Sequence, residues 1–96
     1  MRFELTKSIT DGFPVFREYR GEGYVLSVAD FGDPDLKFVE AAPINIHWPK
    51  ISFKKIASLC SFEPHPFLPE DIPEMTTGMQ KASEVYQYIL ENLDTL

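Results

Sequence analysis

Residues 2–30 read RFELTKSITDGFPVFREYRGEGYVLSVAD, and this stretch decides the fold of the 96-residue chain. Three runs within it alternate apolar and polar side chains, which is the pattern of strands with one buried face. Segments that contain glycine, and so support tight reversals, separate the runs. In chain order, the runs and turns are 2–9, Asp11-Gly12, 13–19, Arg20-Gly21-Glu22-Gly23 and 24–30. The stretch therefore predicts three antiparallel strands in a meander.

The parity of the first two strands predicts their register. A two-residue turn would set the polar face of the first strand against the apolar face of the second. A three-residue loop over 10–12 instead pairs Ile9 with Phe13, and it also pairs Phe3 with Tyr19. Apolar side chains then share one face, so the hydrophobic pattern favours the longer loop.

A fourth extended run begins near Leu36. Pro43 interrupts it, and because proline cannot donate a ladder hydrogen bond, Pro43 marks an edge, a bulge or a strand end. The segment Ile44-Asn45-Ile46-His47-Trp48 alternates again. It either continues the fourth strand or forms a short fifth strand.

The apolar spacing changes at Ser52, which is a good helix N-cap residue. The next apolar positions fit one face of a helix that ends by Phe62, before Pro64. Those positions are Phe53, Ile56, Ala57 and Cys60. We therefore expect a first helix here, with Cys60 on its buried face.

A second helix is expected to begin between Ile72 and Thr77. Its apolar stripe is Met75, Met79, Ala82, Tyr86, Ile89, Leu90 and Leu93, and its polar side is Glu84, Gln87 and Glu91. The whole chain, 1–96, is thus expected to be a single α+β domain. It would have an antiparallel meander sheet of four or five strands, followed by two helices packed on one face.

The net charge of −6 is unevenly distributed along the chain. Residues 1–55 hold eight basic and eight acidic side chains, whereas 56–96 hold one basic and seven acidic ones. This acidic part argues against direct binding of nucleic acid, which requires a basic footprint. No apolar run is long enough to span a membrane or to serve as a secretory signal. With Cys60 as the single cysteine, we expect a cytoplasmic protein.

The residues that could carry catalysis or bind a metal are poorly spaced for either task. His47, Cys60 and His65 lack the tightly spaced pairs of a structural zinc site. No serine lies in a Gly-x-Ser-x-Gly turn, and Cys60 is expected among apolar neighbours that disfavour its thiolate. We predict no catalytic residues, no metal and no cofactor. Whether the chain is an enzyme stays open, and the sequence favours a protein without catalytic activity.

A proline-rich segment, 63–73, is the first candidate binding site. It is expected to be a stiff loop with an apolar tip and an acidic rim, which would lose little entropy on docking. Its candidate partner-binding residues, with the acid that follows, are Phe67, Leu68, Glu70, Asp71 and Glu74. The alternative is that Phe67 and Leu68 cover the edge of the core.

A second candidate site is a ligand pocket between the sheet and the helices. In the preferred register, Lys7 and Arg17 are diagonal neighbours on the apolar face, where His47 and Trp48 could join them. Such a pocket would bind an anion or a carboxylate. The alternative is that the two basic stems lie along apolar surface while their charged ends reach water.

These patterns favour a small acidic non-catalytic protein-interaction or regulatory domain that binds a partner with a basic surface. One alternative is a small-ligand-binding or hydrolytic protein that uses the pocket between sheet and helices. Another is an acidic decoy that inhibits a nucleic-acid-binding protein. We expect no membrane association, and the sequence leaves a homodimer open.

Overall fold

A six-stranded antiparallel sheet and one helix form the described part of this chain. The structure is a computed structural model, and it describes residues 1–33, 35–56, 59–64 and 72–96. The elements are β1 (Glu4–Ile9), β2 (Val15–Gly21), β3 (Tyr24–Asp33), β4 (Leu36–Pro43), β5 (Ile51–Ile56), β6 (Leu59–Pro64) and α1 (Ile72–Glu91). The predicted α+β class and antiparallel meander are confirmed.

The strands lie in the sheet in chain order, from β1 at one edge to β6 at the other. The β2–β3 reversal shows why the meander forms. Gly21 pairs with Tyr24, so only Glu22 and Gly23 form the loop, and both have positive φ. This two-residue geometry matches the right-handed twist of the flanking strands.

The core lies between α1 and the central strands β3, β4 and β5. Alternate residues of these strands are buried toward the helix because successive strand side chains point to opposite faces. The sheet contributes Tyr24, Leu26, Val28, Val39, Ala41, Ile51 and Phe53, and α1 with the residues after it contributes Ala82, Val85, Ile89, Leu93 and Leu96. Each large aliphatic side chain buried in this way contributes roughly 1.5–3 kcal/mol.

The helix α1 begins at Ile72, inside the predicted window. Ala82, Ile89 and Leu93 are buried as the stripe predicted, and the outward positions are exposed. Val85 is also buried, so the inward face is centred slightly differently from the predicted stripe. The side chain of Met75 is outside the described part.

The predicted helix from Ser52 to Phe62 is wrong, because residues 51–56 and 59–64 form the paired strands β5 and β6. Ile51 and Phe53, which are two positions apart, are both buried against α1. A two-residue spacing of buried side chains is typical of a strand. In so short a segment, Phe53 and Ile56 also fit a helical spacing, and apolar spacing alone does not separate the two. Cys60 is exposed on β6 and not buried. Ala57 lies outside the described residues.

The predicted β1–β2 register is also wrong. The structure pairs Leu5 with Tyr19 and Ile9 with Phe16, and the register shifts between Leu5 and Lys7. Pro14 explains the longer loop, because it cannot donate to the ladder and β2 begins only after it.

Residues 44–48 form turns, so the prediction that they extend β4 or form a strand is wrong. β4 ends at Pro43, which is thus a strand end. The Asn45 side chain accepts a hydrogen bond from the backbone N–H of His47 at 2.9 Å. Such a local bond from an Asn side chain competes with strand pairing and favours a turn.

Candidate interaction surface

The sheet has two faces, and α1 covers one of them. Among the described residues, no element packs on the other, which we call the open face. Strand pairing arranges its central side chains in two rows across the sheet. One row is Ile9, Phe16, Ala29, Phe38 and Lys54, and the next is Lys7, Glu18, Ser27, Glu40 and Ser52. The open face is therefore part apolar and part charged.

Aromatic side chains concentrate at the end of the open face beside the loop that precedes β2. The Phe13 and Phe31 ring centroids are 5.8 Å apart, and those of Phe31 and Phe38 are 5.6 Å apart, both edge to face. Phe13 is 76% exposed and Phe16 is 47% exposed. Ile9 and Ile56 are exposed as well. A contiguous group of exposed large apolar side chains typically marks an interaction site.

Two depressions flank Phe16. One, of about 290 Å³, lies on the side of Phe38 and Glu40. The other, of about 210 Å³, lies on the side of Lys7 and Ile9. Ser27 lines both, so the Phe16 ring stands as a ridge between two recesses.

The acids of the open face are paired with neighbouring donors. Thr6 Oγ1 donates to Glu18 Oε2 at 2.8 Å, and Arg20 Nε is 3.4 Å from the same oxygen. The Thr6 hydrogen bond, with a smaller contribution from Arg20, lowers the pKa of Glu18. Glu40 is 2.6 Å from the Lys50 ammonium. Both carboxylates are thus held in place by donors on neighbouring residues.

The helix-bearing side carries an open acidic groove. Lys81 Nζ donates to Glu22 Oε2 at 2.9 Å and is 3.9 Å from Glu84. The hydrogen bond from Lys81, and a second from the backbone N–H of Arg2, lower the pKa of Glu22. With Glu91 in the same groove, three carboxylates face one lysine. The groove therefore carries excess negative charge on the side that the open face does not occupy.

A partly buried cluster of polar groups joins the sheet to the residues that follow α1. Arg17 donates to Asp30 Oδ2 and to the Leu96 carbonyl oxygen, each at 2.6 Å. The Asp30 hydrogen bond raises the pKa of Arg17, and the same bond lowers that of Asp30. Lys37 donates to the carbonyl oxygens of Leu93 and Leu96, and burial lowers its pKa. These contacts hold the fold together.

The residues predicted to form a ligand pocket do not share one face. Lys7 pairs with Glu18 on the open face, whereas Arg17 points to the helix side. His47 is exposed in the turn after β4, and Trp48 packs on the Tyr24 ring with centroids 6.0 Å apart. Lys7 and Arg17 nevertheless both line the depression of about 210 Å³ beside Phe16, whereas His47 and Trp48 are not among its lining residues, and the ligand-pocket hypothesis stays a prediction.

Most of the predicted partner-binding loop lies outside the described residues. Phe67, Leu68, Glu70 and Asp71 lie outside the described residues, and Glu74 lies in the first turn of α1. The open-face aromatics were missed at the level of sequence. A signal for them exists, because β2 has apolar residues at both parities in Val15 and Phe16. Such a pattern is typical of a strand whose two faces are both covered.

The described residues show no arrangement typical of a metal centre. Over 1–33, 35–56, 59–64 and 72–96, no three of the His, Cys, Asp and Glu side chains are placed to hold a metal ion. None of the helices in that part of the chain is long and apolar enough to cross a membrane. Comparisons with family models, with curated proteins and with solved structures find no match to this chain.

Proposed function

We propose that this chain is a small acidic non-catalytic protein-interaction domain that binds through its open face. The observation that carries the proposal is the exposed pair Phe13 and Phe16, beside the partly buried rings of Phe31 and Phe38, on a sheet face that no described element covers. A sheet with one apolar face normally buries that face against a second layer. Here both faces carry large apolar side chains, and α1 supplies a layer for only one.

The shape of the open face supports a macromolecular partner over a small ligand. Its depressions are shallow and lie on either side of the Phe16 ridge. Small-molecule sites are usually deeper clefts that enclose most of the ligand surface. A protein partner can instead cover a large part of the face, with Phe16 inside the contact and charged residues around it.

The charge of the open face supports a protein over a nucleic acid. Its central rows hold two lysines, Lys7 and Lys54, and two glutamates, Glu18 and Glu40. A phosphate backbone requires an excess of basic side chains, which these rows do not offer.

A second candidate surface is the acidic groove on the helix-bearing side, where Glu22 and Glu84 pair with Lys81 and Glu91 lines the same groove. The excess negative charge of this groove suits a partner with a basic surface, which is the kind of partner that the sequence predicts. Complementary charge raises the rate at which two proteins associate, and this effect weakens as the salt concentration rises. The acidic decoy of a nucleic-acid-binding protein would use the same groove.

Affinity capture from the native host, quantified by mass spectrometry, tests the open face. We expect Phe16→Glu to lose proteins that the unmodified chain retains, because a carboxylate would be buried at the centre of the contact. Ile46→Glu is the matched control, since it introduces the same charge at a side chain that is 87% exposed outside the sheet. Phe67→Ala tests the proline-rich segment in parallel.

The folded state of each variant is checked by circular dichroism and thermal unfolding. If Phe16→Glu and Ile46→Glu retain the same proteins, the open face is not the contact surface. If Phe67→Ala alone loses them, the contact lies in the segment 63–73.

A further inference from the structure

We propose that the open face packs against the open face of a second copy of this chain, in a two-fold symmetric dimer. This inference rests on the proposed function, because it names the partner of that surface. In such a dimer the order of layers is helix, sheet, sheet, helix, and each Phe16 is covered by the opposite sheet. Sheets stacked face to face in this way pack about 10 Å apart.

The size of the open face fits a weak dimer. Six strands about 4.8 Å apart, with about six residues each at ~3.3 Å per residue, give a projected area of roughly 570 Å². A specific interface of standard size requires roughly 600–1,000 Å² from each partner. The accessible area exceeds the projected area because Phe13 and Phe16 protrude. The face thus comes close to the lower bound, and because area alone does not set affinity, we expect only a weak dimer with a Kd in the micromolar range.

The charge pattern of the open face suits contact with an identical copy. In a two-fold interface the same patch meets itself, so it must offer both members of every polar pair. The central rows do so, because they contain two positively charged side chains, Lys7 and Lys54, and two negatively charged ones, Glu18 and Glu40. A patch of one sign would repel its copy.

The net charge of −6 does not oppose this arrangement. The carboxylates of the acidic groove, Glu22, Glu84 and Glu91, lie on the helix-bearing side. A face-to-face dimer therefore directs both grooves outward, with two sheets between them. That separation exceeds roughly 20 Å for layers about 10 Å apart, beyond the Debye length of about 8 Å at physiological salt. The dimer also leaves both grooves accessible to a basic partner.

Pairing through the β1 edge of the sheet is less favourable than packing through the face. The register of β1 shifts between Leu5 and Lys7, and such an irregularity interrupts the even spacing that an added strand needs. The aromatic rings also argue against stacked nucleic-acid bases. Phe31 contacts both Phe13 and Phe38 edge to face, so these rings are packed on one another and not presented as separate platforms.

Sedimentation velocity tests the dimer on the full chain. Between about 1 and about 500 μM, a range that brackets the expected Kd, the mass-average species should move from monomer to dimer. Phe16→Glu should raise the Kd by at least about 30-fold, the loss typical of an aromatic residue at the centre of an interface. Ile46→Glu should leave the Kd within about twofold, because an exposed substitution away from an interface changes its energy little. Circular dichroism shows whether each variant is folded.

Cross-linking locates the contact. With Cys60→Ser removing the natural thiol, Ser27→Cys places one thiol at the centre of the open face, where Ser27 is exposed. A bis-maleimide should then trap a covalent dimer above the Kd. Ser83→Cys is the matched control, because Ser83 is exposed on α1, and it should give no dimer.

Three results would overturn the dimer. The chain stays monomeric throughout the range; the dimer persists unchanged in Phe16→Glu; or Ser83→Cys cross-links as well as Ser27→Cys. Binding of a fluorescent oligodeoxythymidine that Phe16→Glu abolishes would assign the face to nucleic acid instead. A monomeric chain that still captures a host protein through Phe16 leaves the proposed function standing, whereas a monomer that captures none contradicts both.

Discussion

The ammonium of Lys37 lies 2.6 Å from the carbonyl oxygen of Leu93, 56 positions later in the chain. Lys37 is in β4 and is only 6% exposed, and the same ammonium donates to the Leu96 carbonyl at 3.1 Å. A buried ammonium is costly unless it is hydrogen-bonded, and carbonyls are costly to leave unmatched. These hydrogen bonds thus satisfy both the ammonium and the two carbonyl oxygens, and they hold the residues after α1 against the sheet.

Replacing that ammonium should destabilise the protein. Lys37→Met keeps the apolar stem but removes the donor to the Leu93 carbonyl, while Leu96 still accepts from Arg17, so we expect a loss of about 1–3 kcal/mol in the free energy of unfolding. Urea unfolding, at a concentration at which the chain is monomeric, measures it. Lys54→Met, on the neighbouring strand and exposed, should change stability by less than about 0.5 kcal/mol. Equal effects would show that the Lys37 contacts contribute nothing.

The Arg17–Asp30 pair predicts a specific loss of stability in acid. Because Arg17 holds the pKa of Asp30 below its ordinary value of 3.8, the folded state binds fewer protons than the unfolded state between the two values. The contribution of the pair is complete above pH 3.8 and declines as pH falls through the lower, folded pKa. Asp30→Asn should lower stability at neutral pH and make the decline below pH 3.8 shallower. An unchanged acid limb in urea titrations would contradict this, and Asp11→Asn, in an exposed loop, is the control.

Adjacent helix residues should differ in their contribution to the core. Ile89 is fully buried, whereas Leu90 is half-buried at the edge of the same cluster. We expect Ile89→Ala to cost about 2–5 kcal/mol, and Leu90→Ala clearly less. Gln80→Ala, at an exposed helix position, serves as the control. Chemical unfolding that gave equal losses at 89 and 90 would require a different orientation of α1.

The elements that the sequence predicts correctly are those with one consistent apolar period. In β3, Tyr24, Leu26 and Val28 alternate without exception, and all three are buried. The stripe of α1 repeats over several turns, so its helical period is unambiguous. By contrast, the short run from Ile51 fits both periods, and only pairing with β4 and β6 selects the strand.

The candidate site depends on information that the sequence does not display. Phe16 lies at the opposite parity to the buried face of β2, and it becomes notable only when the structure shows that no described element covers it. The Lys37 contacts could not be predicted from sequence either, because Leu93 is 56 positions away and no local pattern indicates that its carbonyl accepts from Lys37. Pro14 also places the start of β2 at Val15, whereas the alternation of apolar residues favoured a start at Phe13.

The exposure of Cys60 reverses an expectation drawn from its apolar spacing. A buried thiol would react slowly, but Cys60 is exposed on β6. We therefore expect a disulfide reagent to modify the folded chain at a rate within a few-fold of the unfolded chain, since access largely controls such reactions. Cys60 pairs with Lys55, on the side opposite the open face, so the rate should not fall when the chain dimerises. A folded chain that reacts far more slowly would show that β6 is covered.

Gly78 of α1 lies close to the segment that precedes β5. A Cβ at this position would lie 2.9 Å from Pro49 Cδ and 3.1 Å from Trp48 Cδ1. Glycine to alanine inside a helix normally stabilises a protein by up to about 1 kcal/mol. Here we expect Gly78→Ala to destabilise by about 1–3 kcal/mol, because the added methyl group overfills a packed contact. Thermal and urea unfolding show whether Gly78→Ala raises or lowers the free energy of unfolding.

Ser83→Ala is the matched control for Gly78→Ala, because Ser83 lies on the same helix and is exposed. It should be neutral or slightly stabilising, as alanine favours the helix. Pro49→Ala removes the Cδ atom that the new methyl group meets, so Gly78→Ala should cost less in that background than in the native chain. A double-mutant cycle measures this coupling. If Gly78→Ala stabilises the chain as Ser83→Ala does, α1 lies farther from Pro49 than the 2.9 Å contact requires.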